Sequence, residues 1–521
     1  MNEAIASKEK IAGRLKSGLA RTALSQIIIA ATAIALVPLY IAAWGVDGYG
    51  RWLSLTAVIA YLSLLDLGGQ NYVGNLLAGA YARSDEVEFR STLAKGLSFF
   101  GVIALGTLGI LTIVVSWPGL TLPGQTAELN FSDRLVLFAM GAALLLLIPQ
   151  GVFVASFRAT GQYHRGMALG IYMRFLLLLS YVGMLLVPFS PAGYAVGYLI
   201  GQMILTLAII VYAHRIVPLT RNLRINLKAA KAGRTVLLKG AFFFWLIMIA
   251  TALNQQGVIL VLTAYVPAAM VALYATHRTA AGVLGYTSSL FLAPIWPEMS
   301  FLHARRDRVH LNRLTQLSIR VVVCLSALGA VALWLILPTI YALWTGQQLT
   351  LQPILLAILL FQGMLAAGWY TTSWPMLAAN QHRHLAMWAL ANAILTVVLA
   401  IIFAPRWSVI GVALATLMGD VVCGAFVYPR LSARFLQVPV RDIIRAIARP
   451  LLVVVAVGVP IAIFAGQFGN PIAGLGAGLV LGILGLYPTL WLALGRNDFE
   501  WLKQRLLRFP LAGTDKKTSG V

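Results

Sequence analysis

The Lys and Arg residues of this chain fall almost entirely on one side of a predicted membrane topology. Long apolar runs alternate with short connectors, and every second connector is basic whereas the others carry almost no positive charge. Of the 39 Lys and Arg residues, only five depart from this pattern, which leaves 34 in the basic segments: Arg51, Arg134 and Arg406 lie on the other side, and Arg174 and Arg278 lie within apolar runs. Since basic loops stay cytoplasmic, the pattern predicts the topology and leaves two cations inside the membrane.

The composition excludes a soluble protein, because 60% of the residues are hydrophobic and 11% are charged. The net charge of +23 is explained by cytoplasmic loops that face anionic lipid headgroups. No nucleic-acid-binding motif or phosphate-binding loop of a nucleotide hydrolase occurs, and no cofactor is expected. Both cysteines, Cys324 and Cys423, lie in apolar runs, so neither a disulfide nor a cysteine metal site is expected.

A helix needs about 20 apolar residues to cross the hydrocarbon core. On this basis we predict an all-α polytopic membrane protein with about fourteen spans and both termini in the cytoplasm. The spans are 23–44, 52–74, 97–117, 135–157, 167–188, 192–213, 240–263, 269–295, 319–342, 352–377, 386–404, 408–429, 450–467 and 472–494.

The chain repeats itself weakly. Residues 82–89 (ARSDEVEF) match residues 304–311 (ARRDRVHL), which lie 222 positions later. Six spans separate the copies, so the repeat is parallel and predicts two six-helix lobes around a central cavity. The alternative is chance similarity between two basic loops. The predicted organisation is an amphipathic cytoplasmic segment (1–22), an N-lobe (23–214), a basic linker (215–239), a C-lobe (240–430), a second basic linker (431–449), an added pair of spans (450–494) and a cytoplasmic tail (495–521).

Arg278 and Arg174 are the main candidates for a binding site. An ionisable group within a span costs at least about 2.5–3.5 kcal/mol, so it normally faces a cavity or a partner. Arginine stays charged and binds phosphate oxygens in pairs, which favours an anionic ligand such as a phosphate. The alternative is a structural ion pair of either arginine with Asp66 or Asp420. Arg174 is also close enough to a helix end to extend its charge to the interface.

Other polar residues within the spans each allow a functional and a structural interpretation. Asp66 and Asp420 suit a proton or sodium coupling site, or a structural tie. Asn254, Gln255 and Gln256 form a polar belt in the seventh span, and Gln362 and Asn392 lie in the tenth and eleventh spans. Amides of this kind bind sugars or join helices to each other. His277, beside Arg278, is expected to be a hydrogen-bonding neighbour rather than a metal ligand, since no second ligand stands four residues away.

The order of these features resembles the O-antigen-type flippases of lipid-linked oligosaccharides, within the multidrug/oligosaccharidyl-lipid/polysaccharide exporter superfamily. The matching segments are 48–52 (GYGRW), 65–68 (LDLG), 157–163 (FRATGQY) and 297–305 (PEMSFLHAR). The resemblance covers about residues 15–435. It implies two helical lobes and a polyprenyl-pyrophosphate-linked oligosaccharide as cargo. Cationic residues of the cavity then bind the pyrophosphate, and Arg278 matches a cavity arginine of the related lipid II flippases. The first span lacks the cavity arginines of those relatives, which argues against lipid II as the cargo.

The expected function is therefore export of this cargo by alternating access, with Arg278, Arg174 and Arg51 at the diphosphate. The expected partners are the lipid-linked oligosaccharide, membrane lipids and other polysaccharide-assembly proteins, and the expected location of the monomeric protein is the inner membrane of a bacterium. One alternative is a cation-coupled multidrug exporter of the same superfamily, which usually has a carboxylate in the first or seventh span; neither span carries one here. Further alternatives are a membrane-embedded glycosyltransferase or polymerase, and a scaffold of an assembly complex.

Overall fold

The computed structural model describes residues 2–67, 69–162, 189–221, 223, 227–292, 295–379, 381 and 383–467, with isolated positions elsewhere. Within these residues the chain is helical, apart from connectors and an isolated bridge between Thr121 and Glu128. The protein is a multi-pass membrane protein with an all-α fold. Large apolar side chains such as Leu105 and Ile113 remain exposed, as expected of a surface that faces lipid.

The helices are α1 (Asn2–Ala60), α2 (Gly69–Ala82), α3 (Glu86–Ser116), α4 (Phe131–Ala159), α5 (Pro191–Ile216), α6 (Leu227–Ala252), α7 (Val258–Tyr265), α8 (Ala268–Leu292), α9 (Trp296–Ala304), α10 (Arg308–Trp344), α11 (Pro353–Ala378), α12 (Arg383–Gly419), α13 (Phe426–Leu436) and α14 (Val440–Gly466). Short 3-10 helices cover Tyr61–Asp66 and Pro218–Thr220. Two π-helical turns, Leu253–Gly257 and Asp420–Ala425, interrupt otherwise helical stretches.

Nine stretches of the described chain are long and apolar enough to cross a membrane. Two of them contain two predicted spans each. The chain turns between the first and second spans at Gly45, whose φ of 71° suits glycine, and between the eleventh and twelfth at Ser408, with a φ of 53°. The fifth and fourteenth predicted spans lie largely outside the described residues. The total of fourteen spans therefore stays a prediction, as does the central cavity.

Several boundaries differ from the predicted ones. The segment 1–22 is not a separate helix, because α1 runs without a break from Asn2 to the turn at Gly45. The second predicted span is interrupted by the 3-10 helix, after which Leu67 takes a left-handed conformation. Both basic linkers are largely helical, since α6 begins at Leu227 and α14 begins at Val440. Hydropathy marks where a helix is apolar but not where it begins, and these helices continue into polar sequence.

Two turns at corresponding positions of the predicted repeat have similar local geometry. Asp85 accepts a hydrogen bond from the backbone N–H of Glu88 (2.8 Å), and Asp307 accepts one from the backbone N–H of His310 (3.2 Å). The residue before each aspartate has a positive φ, 56° in Ser84 and 58° in Arg306. Each aspartate also caps the first turn of a long helix, α3 or α10. These turns agree with the predicted repeat, which stays a prediction.

The lobes meet closely at the end of the molecule that contains Gly45, which we call the Gly45 end; the opposite end contains Ser84. A methyl group added to Gly50 in α1 would overlap the backbone carbonyl of Ala268 in α8. Nearby, the hydroxyl of Thr263 donates a hydrogen bond to the hydroxyl of Ser54 at 2.7 Å. Towards the Ser84 end, the indole N–H of Trp245 in α6 donates to the carbonyl of Leu64 at 2.9 Å.

Candidate functional site

Arg278 of α8 reaches across to the π-helical turn at Leu253–Gly257. Its Nη1 donates to the carbonyl oxygen of Gln255 at 2.8 Å, and its Nη2 donates to the carbonyl oxygen of Asn254 at 3.3 Å. Nη2 also donates to the side-chain Oε1 of Gln255. A π-helical turn shifts the regular hydrogen-bond register of a helix, and such turns often occur at functional sites. The guanidinium therefore stabilises the irregular turn, and the carbonyl groups of the turn fix the position of its positive charge.

Among the described residues, no carboxylate forms an ion pair with Arg278. In the described part of the chain, the ion pairs are Arg51–Asp133, Arg83–Glu88 and the contact of His310 with Asp307. The alternative of an ion pair with Asp66 or Asp420 is therefore absent for Arg278. Its side chain is partly exposed, and Gln255 beside it is exposed. The guanidinium is thus held by neutral acceptors and retains its full positive charge for an anion.

The polar belt that the sequence predicts around Arg278 forms only in part. The turn brings Asn254 and Gln255 to Arg278, whereas the contact with Asn254 uses its backbone and not its amide. The Asn254 and Gln256 side chains are partly exposed and make no hydrogen bond to the described residues. Gly257 ends the turn between Tyr61 and Val397, where an added methyl group would lie 3.1 Å and 3.2 Å from their side chains.

His277 is buried and occupied at both ring nitrogens. Nδ1 lies 2.8 Å from the carbonyl oxygen of Leu273, so it carries the hydrogen. Nε2 then accepts a hydrogen bond from the backbone N–H of Gln352 at 3.0 Å. The hydroxyl of Tyr341 lies 3.2 Å from Nδ1. Because each nitrogen has a partner within the protein, His277 joins α8 to α10 and α11 and offers nothing to a metal or a sugar.

Asp420 is the centre of a second polar cluster. The side-chain amide of Gln362 in α11 donates to Asp420 Oδ2 at 2.9 Å, and the amide of Asn392 in α12 donates to Oδ1 at 3.0 Å. The hydroxyl of Thr416 donates to Gln362 Oε1 at 3.2 Å. Asn392 Oδ1 is buried with no hydrogen-bond partner. Each oxygen of the Asp420 carboxylate thus accepts a hydrogen bond from a neutral amide, which lowers the cost of burying the charge.

Asp66 lies in the N-lobe, at the end of the 3-10 helix that interrupts the second predicted span. Its Oδ1 is buried without a hydrogen-bond partner among the described residues. Trp245 contacts the same 3-10 helix through the carbonyl of Leu64. A buried carboxylate oxygen with an unused lone pair keeps Asp66 a candidate for binding a proton or a cation.

Arg51, another of the predicted cations, is paired elsewhere and does not join Arg278. Arg51 forms a two-pronged ion pair with Asp133 of α4, with Nε–Oδ1 at 2.9 Å and Nη2–Oδ2 at 2.5 Å. This geometry engages the fork that a phosphate would need, so Arg51 ties α1 to α4 at the Gly45 end. Arg174 lies outside the described residues. Of the two predicted binding cations that the structure describes, Arg51 is paired with a carboxylate and Arg278 contacts neutral acceptors.

Two residues of the site were not predicted. Tyr274 lies one helical turn before Arg278 and is almost fully buried. Thr416 is also buried and contacts Gln362. The spacing of Tyr274 and Arg278 by four residues places them on one face of α8 and was readable from the sequence. A lone threonine in an apolar span gives no such signal.

No protein-family model matches the chain, and no curated protein sequence matches it. Several solved structures are similar to the protein in fold. The fold is similar to that of "Lipid II flippase MurJ, inward closed conformation", with a TM-score of 0.67 and 14% identity over 94% of this chain and 99% of that chain. It is also similar to an inward-facing multidrug resistance MATE family transporter of the MOP superfamily, with a TM-score of 0.65 and 14% identity over 79% of this chain and 95% of that chain.

An outward-facing MATE family transporter gives a lower TM-score of 0.52, at 15% identity over 81% of this chain and 95% of that chain. At these identities the comparison concerns the fold alone. The chain has the fold that the MurJ flippase and the MATE transporters share.

Proposed function

We propose that this protein flips a polyprenyl-pyrophosphate-linked oligosaccharide from the cytoplasmic to the outer leaflet by alternating access, for the synthesis of a cell-surface polysaccharide. The observation that carries the proposal is Arg278, a partly exposed guanidinium that neutral acceptors hold within a span. The diphosphate binds there, while the lipid tail stays in the bilayer. The similarity in fold to the lipid II flippase MurJ supports a lipid-linked cargo.

The Ser84 end faces the cytoplasm in this proposal, because the basic connectors lie there. Both termini are then cytoplasmic, in the inner membrane of a bacterium. The N-lobe and C-lobe move against each other around the Arg278 site, and the protein acts as a monomer that meets other polysaccharide-assembly proteins. An inside-negative potential drives a net-anionic cargo outward, at about 2.3 kcal/mol per elementary charge per 100 mV.

Arg278 is the primary contact of the diphosphate in this mechanism. Arg174 remains an additional candidate, whereas Arg51 acts only if its ion pair with Asp133 opens. Gln255, Gln256 and Asn254 face the sugar portion as amides beside the bound phosphates. Asp66 and Asp420 are the candidates for ion coupling, because each combines a carboxylate with unused or neutral hydrogen-bonding partners.

A second candidate function is cation-coupled export of drugs, which the similarity to a multidrug MATE transporter favours. The two candidates differ in the charge of the cargo. A cationic drug would be repelled by Arg278, whereas a diphosphate would be attracted. Because no described carboxylate pairs with Arg278, its positive charge favours the lipid-linked anion.

The test uses proteoliposomes that contain a fluorescent polyprenyl-pyrophosphate oligosaccharide. The wild type should move the probe between leaflets, and Arg278→Ala should abolish most of that movement. Arg278→Lys keeps the charge but cannot span the turn in the same way, so it separates charge from geometry. Arg313→Ala removes an exposed arginine near the Ser84 end and serves as the matched control, with unchanged activity expected. Transport of cationic drugs without movement of the lipid probe would contradict the proposal.

A further inference from the structure

The π-helical turn that holds Arg278 is in contact with the N-lobe at its far end. Arg278 donates to the carbonyl oxygens of Asn254 and Gln255, early in the turn. Gly257 ends the turn, and a methyl group added there would lie 3.1 Å from the hydroxyl oxygen of Tyr61. Gly257 follows Gln255 by two positions, so their Cα atoms are at most about 7 Å apart. Tyr61 and Arg278 therefore contact one short segment of backbone.

Tyr61 belongs to the other lobe. It begins the 3-10 helix Tyr61–Asp66, which follows α1 within the second predicted span. The carbonyl oxygen of Leu64 in this 3-10 helix accepts a hydrogen bond from the indole N–H of Trp245 at 2.9 Å. Trp245 lies in α6, the helix that leads directly into the π-helical turn. This hydrogen bond fixes the 3-10 helix against the C-lobe, at a place that brings Tyr61 to the turn.

The end of the turn is confined on two sides. Gly257 is buried, and its added methyl group would also lie 3.2 Å from a methyl carbon of Val397 in α12. Both distances are shorter than the usual separation of non-bonded heavy atoms, which is about 3.5–4.0 Å between carbon atoms. Because glycine fits between Tyr61 and Val397 without displacing them, the turn has little room to move toward either side chain.

A fixed turn gives Arg278 a fixed position. Three hydrogen bonds to the turn engage three of the five N–H donors of the guanidinium, so two donors are unused by the described residues. Immobilising an arginine side chain costs rotamer freedom, and the acceptors of the turn impose that loss before an anion arrives. If the turn moves, Arg278 regains this freedom and its affinity for an anion falls.

We propose that Tyr61 is a positioning residue of the Arg278 site: its contact with Gly257 holds the turn, so that the site binds a diphosphate more tightly while the lobes are together at the level of the turn. This inference rests on the proposed function, because it assigns regulation to the same anion site. Diphosphate binding and the contact between the lobes then strengthen each other by the same factor. When Tyr61 withdraws with the N-lobe, the diphosphate is released more easily.

The experiment measures the Kd of inorganic pyrophosphate for the full-length purified protein, by calorimetry. Tyr61→Phe removes the hydroxyl group that contacts Gly257, and Gly257→Ala pushes the turn away from that hydroxyl group. Each substitution should weaken pyrophosphate binding about three- to tenfold, because Arg278 is then less restricted before the anion binds. In the double variant the new methyl group faces the space that the hydroxyl group leaves, so Kd should return to within about twofold of the wild-type value.

Two control variants separate this contact from general damage. Tyr81→Phe removes the hydroxyl group of an exposed tyrosine in α2, and Gly282→Ala adds a methyl group in α8 where no neighbouring atom lies within 4 Å. Neither variant should change Kd. Trp245→Phe tests the inference without a change in the turn, because it releases the 3-10 helix that carries Tyr61. It should weaken binding about threefold in the wild-type background and no further in the Tyr61→Phe background.

Losses of affinity that multiply in the double variant would overturn the inference, because Tyr61 and Gly257 would then act independently. An unchanged Kd in Tyr61→Phe would overturn it as well. Arg278→Ala identifies failure at the earlier step: if pyrophosphate binds equally well without Arg278, the anion site itself is wrong. Loss of binding in Arg278→Ala together with an unchanged Kd in Tyr61→Phe would instead retain the proposed site and reject the role of Tyr61.

Discussion

Trp344 at the end of α10 donates its indole N–H to the carbonyl oxygen of Ile34 in α1, at 2.9 Å. That carbonyl lacks its usual helical partner, because residue 38, four positions later, is a proline without an N–H. A side chain of the C-lobe thus satisfies a backbone acceptor that a proline of the N-lobe leaves free. This contact exists only while the lobes lie together here.

We expect Trp344→Phe to destabilise this arrangement of the lobes by about 1–3 kcal/mol, since the Ile34 carbonyl would lose its donor. Pro38→Ala supplies a backbone N–H four residues after Ile34, so the carbonyl regains a helical partner. The effect of Trp344→Phe on the thermal unfolding midpoint should therefore shrink in the Pro38→Ala background. Equal effects in the two backgrounds would show that Trp344 acts through packing alone.

The contact between Gly50 and Ala268 gives a second prediction. Gly50→Ala places a methyl group against a backbone carbonyl that cannot move independently of α8. We expect a cost of about 1–3 kcal/mol to the closed Gly45 end, seen as greater labelling of a cysteine placed between the lobes. Gly101→Ala is the matched control, because no atom lies within 4 Å of its added methyl group. Similar labelling of both variants would contradict the close approach as the cause.

The cap at Asp307 predicts a pH dependence of stability. The hydrogen bond from the backbone N–H of His310, aided by the His310 side chain, holds the pKa of Asp307 below its usual value. Because the folded pKa is lower than the unfolded one, the contribution of Asp307 is complete above the unfolded pKa and is lost as pH falls through the folded pKa.

Asp307→Asn keeps a side-chain oxygen at the cap but does not titrate. The difference between the unfolding midpoints of wild type and Asp307→Asn should therefore decrease as pH falls below about 4. His310→Ala retains the backbone N–H and should keep part of the effect. A difference that is constant down to pH 2 would show that the cap does not depend on the charge.

Ser408 gives a fourth prediction, which concerns the turn between the eleventh and twelfth predicted spans. Its φ of 53° with a ψ of −134° lies where a side chain is strained and glycine is not. Ser408→Gly should raise the free energy of unfolding by about 1 kcal/mol. Ser408→Ala keeps the strain and should not stabilise the protein. An increase of equal size in both variants would assign the effect to loss of the hydroxyl group.

The sequence predicts the overall architecture because hydropathy and charge are properties of whole segments. Helices begin and end less predictably, as α1 shows when it extends from the predicted surface segment into the first span. The predicted repeat puts Asp85 and Asp307 at corresponding positions, and both cap a helix because a cap needs particular residue types. The positions of turns within the helices are harder to predict. Pro338 and Pro375 lie within continuous helices, whereas the chain turns at Ser408, which is neither a proline nor a glycine.

The sequence predicted which residues belong to the candidate site but not which residues they contact. Arg278 was identifiable because a cation in an apolar span is costly. Its neutral partners were not, since the π-helical turn that exposes the carbonyls of Asn254 and Gln255 depends on tertiary packing. Arg51 illustrates the opposite case, because its partner Asp133 lies 82 residues away in another helix. Pairing across such distances is fixed by the fold and leaves no local pattern in the sequence.

The most direct test of the central claim compares two cargoes in the same proteoliposomes. The same fluorescent oligosaccharide is attached to polyprenol either through a pyrophosphate or through a neutral linkage, and its movement between leaflets is timed. The account predicts that the wild type moves the pyrophosphate-linked form faster and that Arg278→Ala removes the difference. Equal rates for the two forms in the wild type would contradict recognition of the diphosphate by Arg278.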